Sequence, residues 1–477
     1  MPSTLPLSLA TWSAPSGKAT DDLTSRLRRA IESRELSAGT RLPPSREFAR
    51  QLGVGRNTVV AAYARLLARG LVQTHGRGGT VVTGDVSERT RAAETLSNPA
   101  TLKVVQRMGS RAQHDTAPHL DWRLGQACTL ALPITTWRKA CSEVGRHLPP
   151  PGYGDPRGEL RLREAIACWL VRERGIRVPE RQIIITQGAA QAIALLAELL
   201  LRPADVCIVE NPGYVRAAEL FALQGASVRP VAVDGDGLDV EKAFGRIKPA
   251  LVHLTAAHHY PLGMTLSGAR RQMLLEMARR HGTLVLENEY DHEFISASRN
   301  YAPLIASAPE RVVLISTFAK ALSPSMRLGF IAAPMEIADR LAQNIEAQRR
   351  QVSWPAQQVV SWLIESGELN KHLRRVRKHL EGLREMLASH VAGLGGELRA
   401  LGQQGGQHAL LSLNSARASR DLHTRLQELG VRAQRIDEFA LAPTPVHGTL
   451  MSYGQMSVEH LRHATAVLAH AQRGAVP

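Results

Sequence analysis

The sequence predicts a multidomain protein. A small, basic, helical N-terminal domain closes in a hairpin, and a large α/β domain with a largely parallel sheet ends in a small C-terminal α+β subdomain. Three observations predict this. At 477 residues the chain exceeds one ordinary core. Before residue 85, short helical patterns flank a glycine turn and are followed by a glycine-tipped alternating segment. From about residue 117, short apolar runs alternate with helical patterns.

Composition narrows the function classes. Hydrophobic content of 44% is that of a soluble globular protein. There is no apolar run long enough to span a bilayer and no basic-apolar leader, so no membrane partner is expected. Cys128, Cys141, Cys168 and Cys207 are widely spaced with no C-x-x-C pair, which speaks against a metal cluster or disulfide framework and points to reducing cytoplasm. The formal charge of +16 makes nucleic acid the leading partner class.

Residues 1 to about 15, rich in Ser, Pro and Ala, read as a loose arm. A helix is expected from Asp21 to Glu35, with Leu23, Leu27, Ala30 and Ile31 in phase and Thr20 or Asp21 as its N-cap. A turn-rich stretch leads to Ser45, expected to cap a second helix carrying Phe48, Ala49 and Leu52. After Gly53-Val54-Gly55 a third helix runs from Arg56 to Gly70, and Gly70 to Val82 alternates like a hairpin with a glycine-rich tip. Through Gly84, eleven arginines and one lysine face five carboxylates. Leu42-Pro43-Pro44-Ser45-Arg46, Arg56-Asn57-Thr58-Val59 with Tyr63, and the Gly76-to-Val82 wing lie in the order and spacing of a known motif. About residues 18–84 thus resemble the GntR-type winged helix-turn-helix, which implies double-stranded DNA as partner. Arg56, Asn57 and Thr58, at the start of the third helix, are placed to reach base edges. By resemblance, Arg46 and Arg77 serve backbone or minor-groove contacts.

Residues 85–116 turn polar and read as a linker, with one short helix around Leu102 to Met108. In residues 117–477, Ile183-Ile184-Ile185-Thr186, Val206-Cys207-Ile208-Val209, Leu251-Val252-His253-Leu254, Leu284-Val285-Leu286 and Val312-Val313-Leu314-Ile315 are short apolar runs of the kind found in a buried parallel sheet. Long helices follow Pro334, and a smaller α+β segment starts at Leu398.

After the run at Val312 the chain breaks into Ser316, Thr317 and Lys320, with Arg327 seven residues on. A lysine just past a buried strand is partly desolvated and becomes a usable nucleophile, and hydroxyls with a guanidinium can grip a phosphate. A surface lysine in a Ser/Pro loop fits that stretch equally well on its own. Other strand ends carry further candidates. Thr186-Gln187-Gly188-Ala189-Ala190 opens a helix where backbone N–H groups can meet a phosphate, although a helix packed close to a strand reads the same way. Tyr214 follows Glu210-Asn211-Pro212-Gly213. Thr255 to Gly263 and Leu286 to Phe294 also leave strands at the carboxyl edge, where such sheets bind ligands. Gly152-Tyr153-Gly154-Asp155-Pro156-Arg157-Gly158 precedes another helix.

In this order the motifs resemble the fold-type I aminotransferases that use pyridoxal 5'-phosphate (PLP). Joined to the winged helix they resemble the MocR subfamily of GntR-type regulators, over nearly the whole chain apart from arm and linker. The resemblance implies Lys320 as the Schiff-base lysine, with Thr317, Arg327 and the Gly188-Ala189-Ala190 turn on the phosphate. It implies Tyr214 stacked on the ring, Tyr290 on the ring oxygen, and Tyr153 reaching a neighbouring subunit's phosphate site, hence a homodimer. Two departures follow. Asn288, in Glu287-Asn288-Glu289-Tyr290-Asp291, stands where an aspartate normally pairs with the ring nitrogen. Leu450-Met451-Ser452-Tyr453 lacks the arginine that enzymes carry for a substrate carboxylate, for which Arg216 is a candidate replacement. A neutral amide does not keep the ring protonated as a carboxylate does. The expectation is therefore a regulator that senses PLP or an amino-compound effector, with no confident catalytic residue. The alternatives are an active aminotransferase with a DNA-binding appendage, and a regulator whose second domain is a dimerisation scaffold without PLP.

Overall fold

The computed structural model describes residues 19–75, 79–83, 120–295, 302–402 and 405–473. Clustering of the chain gives two compact units, Met1–His114 and Asp115–Pro477.

In the first unit, α1 (Ala19–Glu32), α2 (Ser45–Leu52) and α3 (Arg56–Ala68) precede strands β1 (Val72–His75) and β2 (Gly79–Val82). Leu23 and Leu27 from α1, Phe48 from α2, Val59 and Leu66 from α3, and Val72 and Val82 from the hairpin form one apolar core. Full burial of each such side chain stabilises by about 1.5–3 kcal/mol. That holds together three helices that are each too short to persist alone. The α2–α3 turn closes because Gly53 takes the left-handed conformation (φ +65°), turning its N–H back to the Ala49 and Arg50 carbonyls. Tyr63 lies on Phe48 at 6.0 Å and donates its hydroxyl to the Pro43 carbonyl at 2.8 Å. The hairpin pairs from Val72↔Val82 to His75↔Gly79, with Arg41 bridged to Val81.

Two expected caps are corrected. Thr20 and Asp21 lie inside α1, which begins at Ala19. Ser45 is the first residue of α2; Pro44 occupies the cap position with no side-chain cap bond, its ring setting φ near the helical value. The wing tip with Arg77, and the linker with its short helix around Leu102, lie outside the described residues.

The second unit runs β3 (Leu120–Asp121), α4 (Ile134–Val144), α5 (Leu160–Arg174), β4 (Ile183–Thr186), α6 (Ala189–Leu200), β5 (Val206–Asn211), α7 (Val215–Leu223), β6 (Ser227–Asp234), β7 (Gly237–Leu238), α8 (Val240–Phe244), β8 (Leu251–Leu254), α9 (Gly268–His281), β9 (Leu284–Glu289), β10 (Val312–Thr317) and β11 (Gly329–Ala332). Then come α10 (Met335–Gln348), α11 (Trp354–Glu365) and α12 (Glu368–Leu394). The last part holds β12 (Arg399–Leu401), β13 (His408–Leu413), α13 (Ala416–Glu428), β14 (Val431–Arg432), β15 (Gln434–Arg435), β16 (His447–Ser452) and α14 (Val458–Arg473).

The main sheet has the order β4-β11-β10-β9-β8-β5-β6-β7. Because β11 is antiparallel to both β4 and β10, strands β4, β10, β9, β8, β5 and β6 all point the same way and end at one edge. The apolar runs are continuous because both faces are covered. Ile183, Ile185, Ile208, Val252, Val285 and Leu314 enter one core, while Ile184, Val209, Leu251, Leu286, Val313 and Ile315 enter the other. The sequence pattern left three strands of this sheet unseen, the two-residue β7 among them. In β6, Arg229 and Pro230 interrupt the apolar run, and β11 is only four residues long directly behind a Ser/Pro loop. A second, antiparallel sheet, β12-β13-β16-β15, forms the small C-terminal subdomain, and β14 ties it back to β3.

Gly329 starts β11 where a Cβ would stand 2.6 Å from the Ser316 carbonyl oxygen and 3.0 Å from the Gly188 Cα. Gly329→Ala should lower stability by roughly 1–3 kcal/mol. Gly268→Ala, with nothing within 4 Å of the added carbon, should leave the denaturation midpoint unchanged or raised. Urea titration of the two variants checks this.

Candidate functional site

The carboxyl ends of β4, β5, β8, β9 and β10 surround a cavity of about 210 Å³. The cofactor residues expected from the sequence line it, Tyr153 excepted: Lys320, Thr317, Arg327, Tyr214, Tyr290, Asn288, Gly188, Ala189 and Ala190. Lys320 Nζ donates to the Gln126 carbonyl at 3.2 Å, and Gln407 donates its amide to the Lys320 carbonyl at 3.0 Å. Burial pushes the Lys320 ammonium down to about 8, against the opposing pull of Asp291. About a tenth of the amine is therefore neutral at pH 7, far more than for an ordinary lysine.

One end of the cavity is built for an anion. Gly188 (φ +82°) precedes the first turn of α6, whose free N–H groups carry the positive end of the helix dipole. Thr317 Oγ1 accepts the Ala319 N–H at 3.1 Å, and Arg327 sits in the left-handed region (φ +48°) at the end of a short 3-10 turn. At the other end, Asn288 Nδ2 lies 3.4 Å from His253 Nε2. Burial pushes His253 down to about 4, so the ring is neutral and its Nε2 can accept. Asn288 Oδ1 is then left buried with no hydrogen-bond partner, an acceptor fitted to a protonated ring nitrogen. Tyr214 lies over His253 (6.2 Å, 27°) and meets Tyr260 edge-on (5.8 Å, 85°). Phosphate cradle, reactive amine, unsatisfied acceptor and aromatic wall together fit PLP.

Several lining residues escaped the sequence reading. Tyr260 and Thr255 follow β8 in the Thr255-to-Gly263 segment, whose position after a strand was the available signal. Thr255 Oγ1 donates to Glu210, pushed up to about 8 by burial, and accepts the Tyr260 N–H. Gly125 comes from an irregular stretch ahead of α4 that carries no pattern.

In the first unit, Arg56 and Asn57 open α3 exposed, with Thr58 half-buried, while Arg46 is exposed on α2. This row of polar side chains is the one expected to meet bases and backbone.

Comparison with known proteins agrees with this division. Residues 19–82 match the family model described as bacterial regulatory proteins, gntR family, and residues 118–468 match aminotransferase class I and II. The probable rhizopine catabolism regulatory protein MocR of Rhizobium meliloti is 29% identical over 466 residues, covering 95% of this chain and 94% of that protein. The HTH-type pyridoxine biosynthesis transcriptional regulator PdxR of Corynebacterium glutamicum is 29% identical over 453 residues, covering 94% and 95%. The chain belongs to the MocR-type GntR regulators. Its second unit shares the fold of Pyrococcus horikoshii kynurenine aminotransferase, with a TM-score of 0.70 at 21% identity, covering 81% of this chain and 97% of that one.

Within this MocR-type frame the two departures have a structural context. Glu287 and Glu289, flanking Asn288, are engaged elsewhere. Glu287 accepts the Leu304 and Ile305 N–H groups, and Glu289 forms a two-bond ion pair with Arg174 at 2.7 and 2.8 Å. Strand alternation turns both away from the Asn288 side. Leu450 is packed in an apolar cluster with Leu410 and Phe439, against which Tyr260 rests. Arg216 does not line the cavity; it lies on α7 in an ion pair with Glu219 at 2.7 Å, so its candidacy as a carboxylate receptor finds no support in the geometry. Tyr153 is 71% exposed, under the Arg349 guanidinium at 4.8 Å.

Arg174 and Glu289 are 3% and 2% exposed. Arg174→Met would leave Glu289 buried without its counter-charge. It should destabilise the second unit by about 3–5 kcal/mol. The paired change Arg174→Met with Glu289→Gln should recover part of that loss in a thermal or urea denaturation series.

Proposed function

We propose that this protein is a PLP-responsive transcriptional regulator. A winged helix over residues 18–84 binds double-stranded DNA, a linker over 85–116 follows, and residues 117–477 receive PLP or an amino-compound effector. The observation that carries the reading is Lys320, a desolvated amine in a cavity that also holds an anion cradle and a neutral Asn288. When bound, PLP supplies a carbonyl for an amine and an electron-withdrawing ring. Lys320 would provide the amine, Thr317, Arg327 and the Gly188 turn would hold the phosphate, Tyr214 would cover the ring, and Asn288 would meet its nitrogen. An amide there favours holding the ligand over driving carbanion chemistry, which supports a receptor rather than a transaminase. The PdxR likeness supports vitamin B6 as the signal.

A homodimer fits the exposed apolar side chains of one stretch, Leu148 at 91% with Leu130, Ile134 and Tyr153, which a second copy would cover. Among the described residues no helix is long and apolar enough to cross a membrane. Such a regulator works in the cytoplasm beside its DNA. Ligand binding changes DNA affinity by the difference in its affinity for two states of the dimer, typically 1–3 kcal/mol, about 5–150-fold.

Purified protein mixed with PLP should show a visible absorbance band that Lys320→Ala lacks. Equal spectra would sink the claim. Capture should speed up as pH rises toward about 8 and level off above it, because the protonated amine is not a nucleophile. In footprints, PLP should alter protection for wild type and leave Lys320→Ala unaffected. Arg56→Ala should weaken operator binding by roughly 1–3 kcal/mol with relaxed sequence preference, whereas Arg46→Ala should reduce the salt dependence by about one charge. Fluorescence anisotropy over a salt series separates the two.

A further inference from the structure

Behind the cavity wall lies a pair of residues that the proposed function has not used. His258 and Asp291, each 2% exposed, face one another, with His258 Nδ1 2.9 Å from both Asp291 carboxylate oxygens. Tyr290 Oη lies 3.1 Å from that same Nδ1, its ring stacked on the imidazole at 5.9 Å and 30°. His258 Nε2 is buried without a partner. Gly406 closes over the pair. A Cβ there would stand 2.4 Å from His258 Cε1 and 2.8 Å from an Asp291 oxygen, so only glycine fits over the pair.

One ring nitrogen cannot donate to Asp291 and accept from Tyr290 at once. The buried Asp291 carboxylate makes the stronger claim, because a charge left without a donor in that position is far more costly than an unshared hydroxyl. The proton therefore sits on Nδ1 and points at Asp291. Tyr290 can offer that shared proton only a lone pair, and its own O–H must turn elsewhere. The cavity is open to it, since Tyr290 lines it beside Lys320. Burial raises the Tyr290 phenol well above its usual range, so it stays a neutral donor.

We propose that His258 and Asp291 are positioning residues that turn the Tyr290 hydroxyl proton into the cavity, toward the phenolic oxygen of a bound pyridoxal ring. This rests on the PLP reading above. The donor stabilises the ionised ring oxygen, so it lowers the pH at which the Lys320-dependent chromophore loses its proton. The other titratable groups packed around the pair among the described residues include His408 (ring centroid 5.8 Å from His258), His259, Tyr260, Glu210, Glu293, Tyr453 and Lys320. All of them remain in every variant below.

The test is a pH titration of the PLP absorbance band in full-length wild type, His258→Leu and His258→Asn, each also made with Tyr290→Phe. His258→Leu should move the midpoint upward by roughly one to two pH units, the effect of losing one hydrogen bond to a charged oxygen. His258→Asn, whose amide can still donate to Asp291, should titrate near wild type. In the Tyr290→Phe background neither change should move the midpoint further, because they act through that hydroxyl. A wild-type midpoint in His258→Leu, or an equal shift with and without Tyr290, would overturn the proposal. If His258→Leu does not fold, Asp291→Asn replaces it. That change frees Nδ1 to accept from Tyr290, so part of its shift must vanish in Tyr290→Phe, and full additivity would again overturn the assignment. Absence of any Lys320-dependent band would overturn the PLP reading together with this proposal, whereas a band indifferent to the cycle overturns this proposal alone.

Discussion

A guanidinium and a carboxylate sealed from water decide how strand β9 presents its side chains. Arg174, at the end of α5, holds Glu289 by two hydrogen bonds, and Glu287 is held by the Leu304 and Ile305 amides on the same side. Releasing either carboxylate into an apolar neighbourhood is strongly unfavourable, so the register of β9 cannot slip by one residue. With those two fixed, Asn288 has to face the opposite side, where it meets His253 and the cavity. The character of the ligand-binding wall is thereby set by an ion pair that never touches a ligand. Replacing the expected aspartate by Asn288 changes the wall's charge without disturbing this anchoring.

Much of this is legible in the sequence, for identifiable reasons. A parallel sheet covered on both faces leaves uninterrupted apolar runs, and its strand ends collect ligand-binding groups at one edge. Lys320, Thr317, Tyr214, Tyr290, Asn288 and the Gly188 turn, singled out by their strand-end positions and by resemblance to the aminotransferases, line one cavity. Other features left no local trace. Arg174 meets Glu289 across 115 residues, and His258 meets Asp291 across 33, with no periodicity linking either pair. Strand β6 hid behind Arg229 and Pro230. Ser45 looked like a cap because serine usually is one, but Pro44 had already set the backbone for the helix. Arg216 lies on α7 beside Glu219 and outside the cavity lining, a placement that sequence spacing alone does not reveal.

The two units divide the physical work. In the first, exposed polar side chains at the start of α3 ride on a small core whose only task is to keep that helix presented. In the second, the site side chains range from buried Asn288 to exposed Arg327, and desolvation gives several of them their properties: it lowers the Lys320 ammonium, raises the Tyr290 phenol and keeps His253 neutral. A receptor built this way needs few charges of its own, because desolvation makes ordinary residues reactive.

The pairing of β4 with β11 has a further meaning. Ile183 sits opposite Ala332, so the strand that leads into the Gly188 turn finds its neighbour only after nearly all of the main sheet has been synthesised. Lys320 and Arg327 arrive on that same late segment. The ligand pocket consequently has no partial form: it comes into being when the sheet closes, and the ordering of long loops this requires makes closure slow relative to helix formation. The two parts of the cavity lining, the Gly188 turn and the segment of Lys320 and Arg327, thus meet only across the β4–β11 pairing.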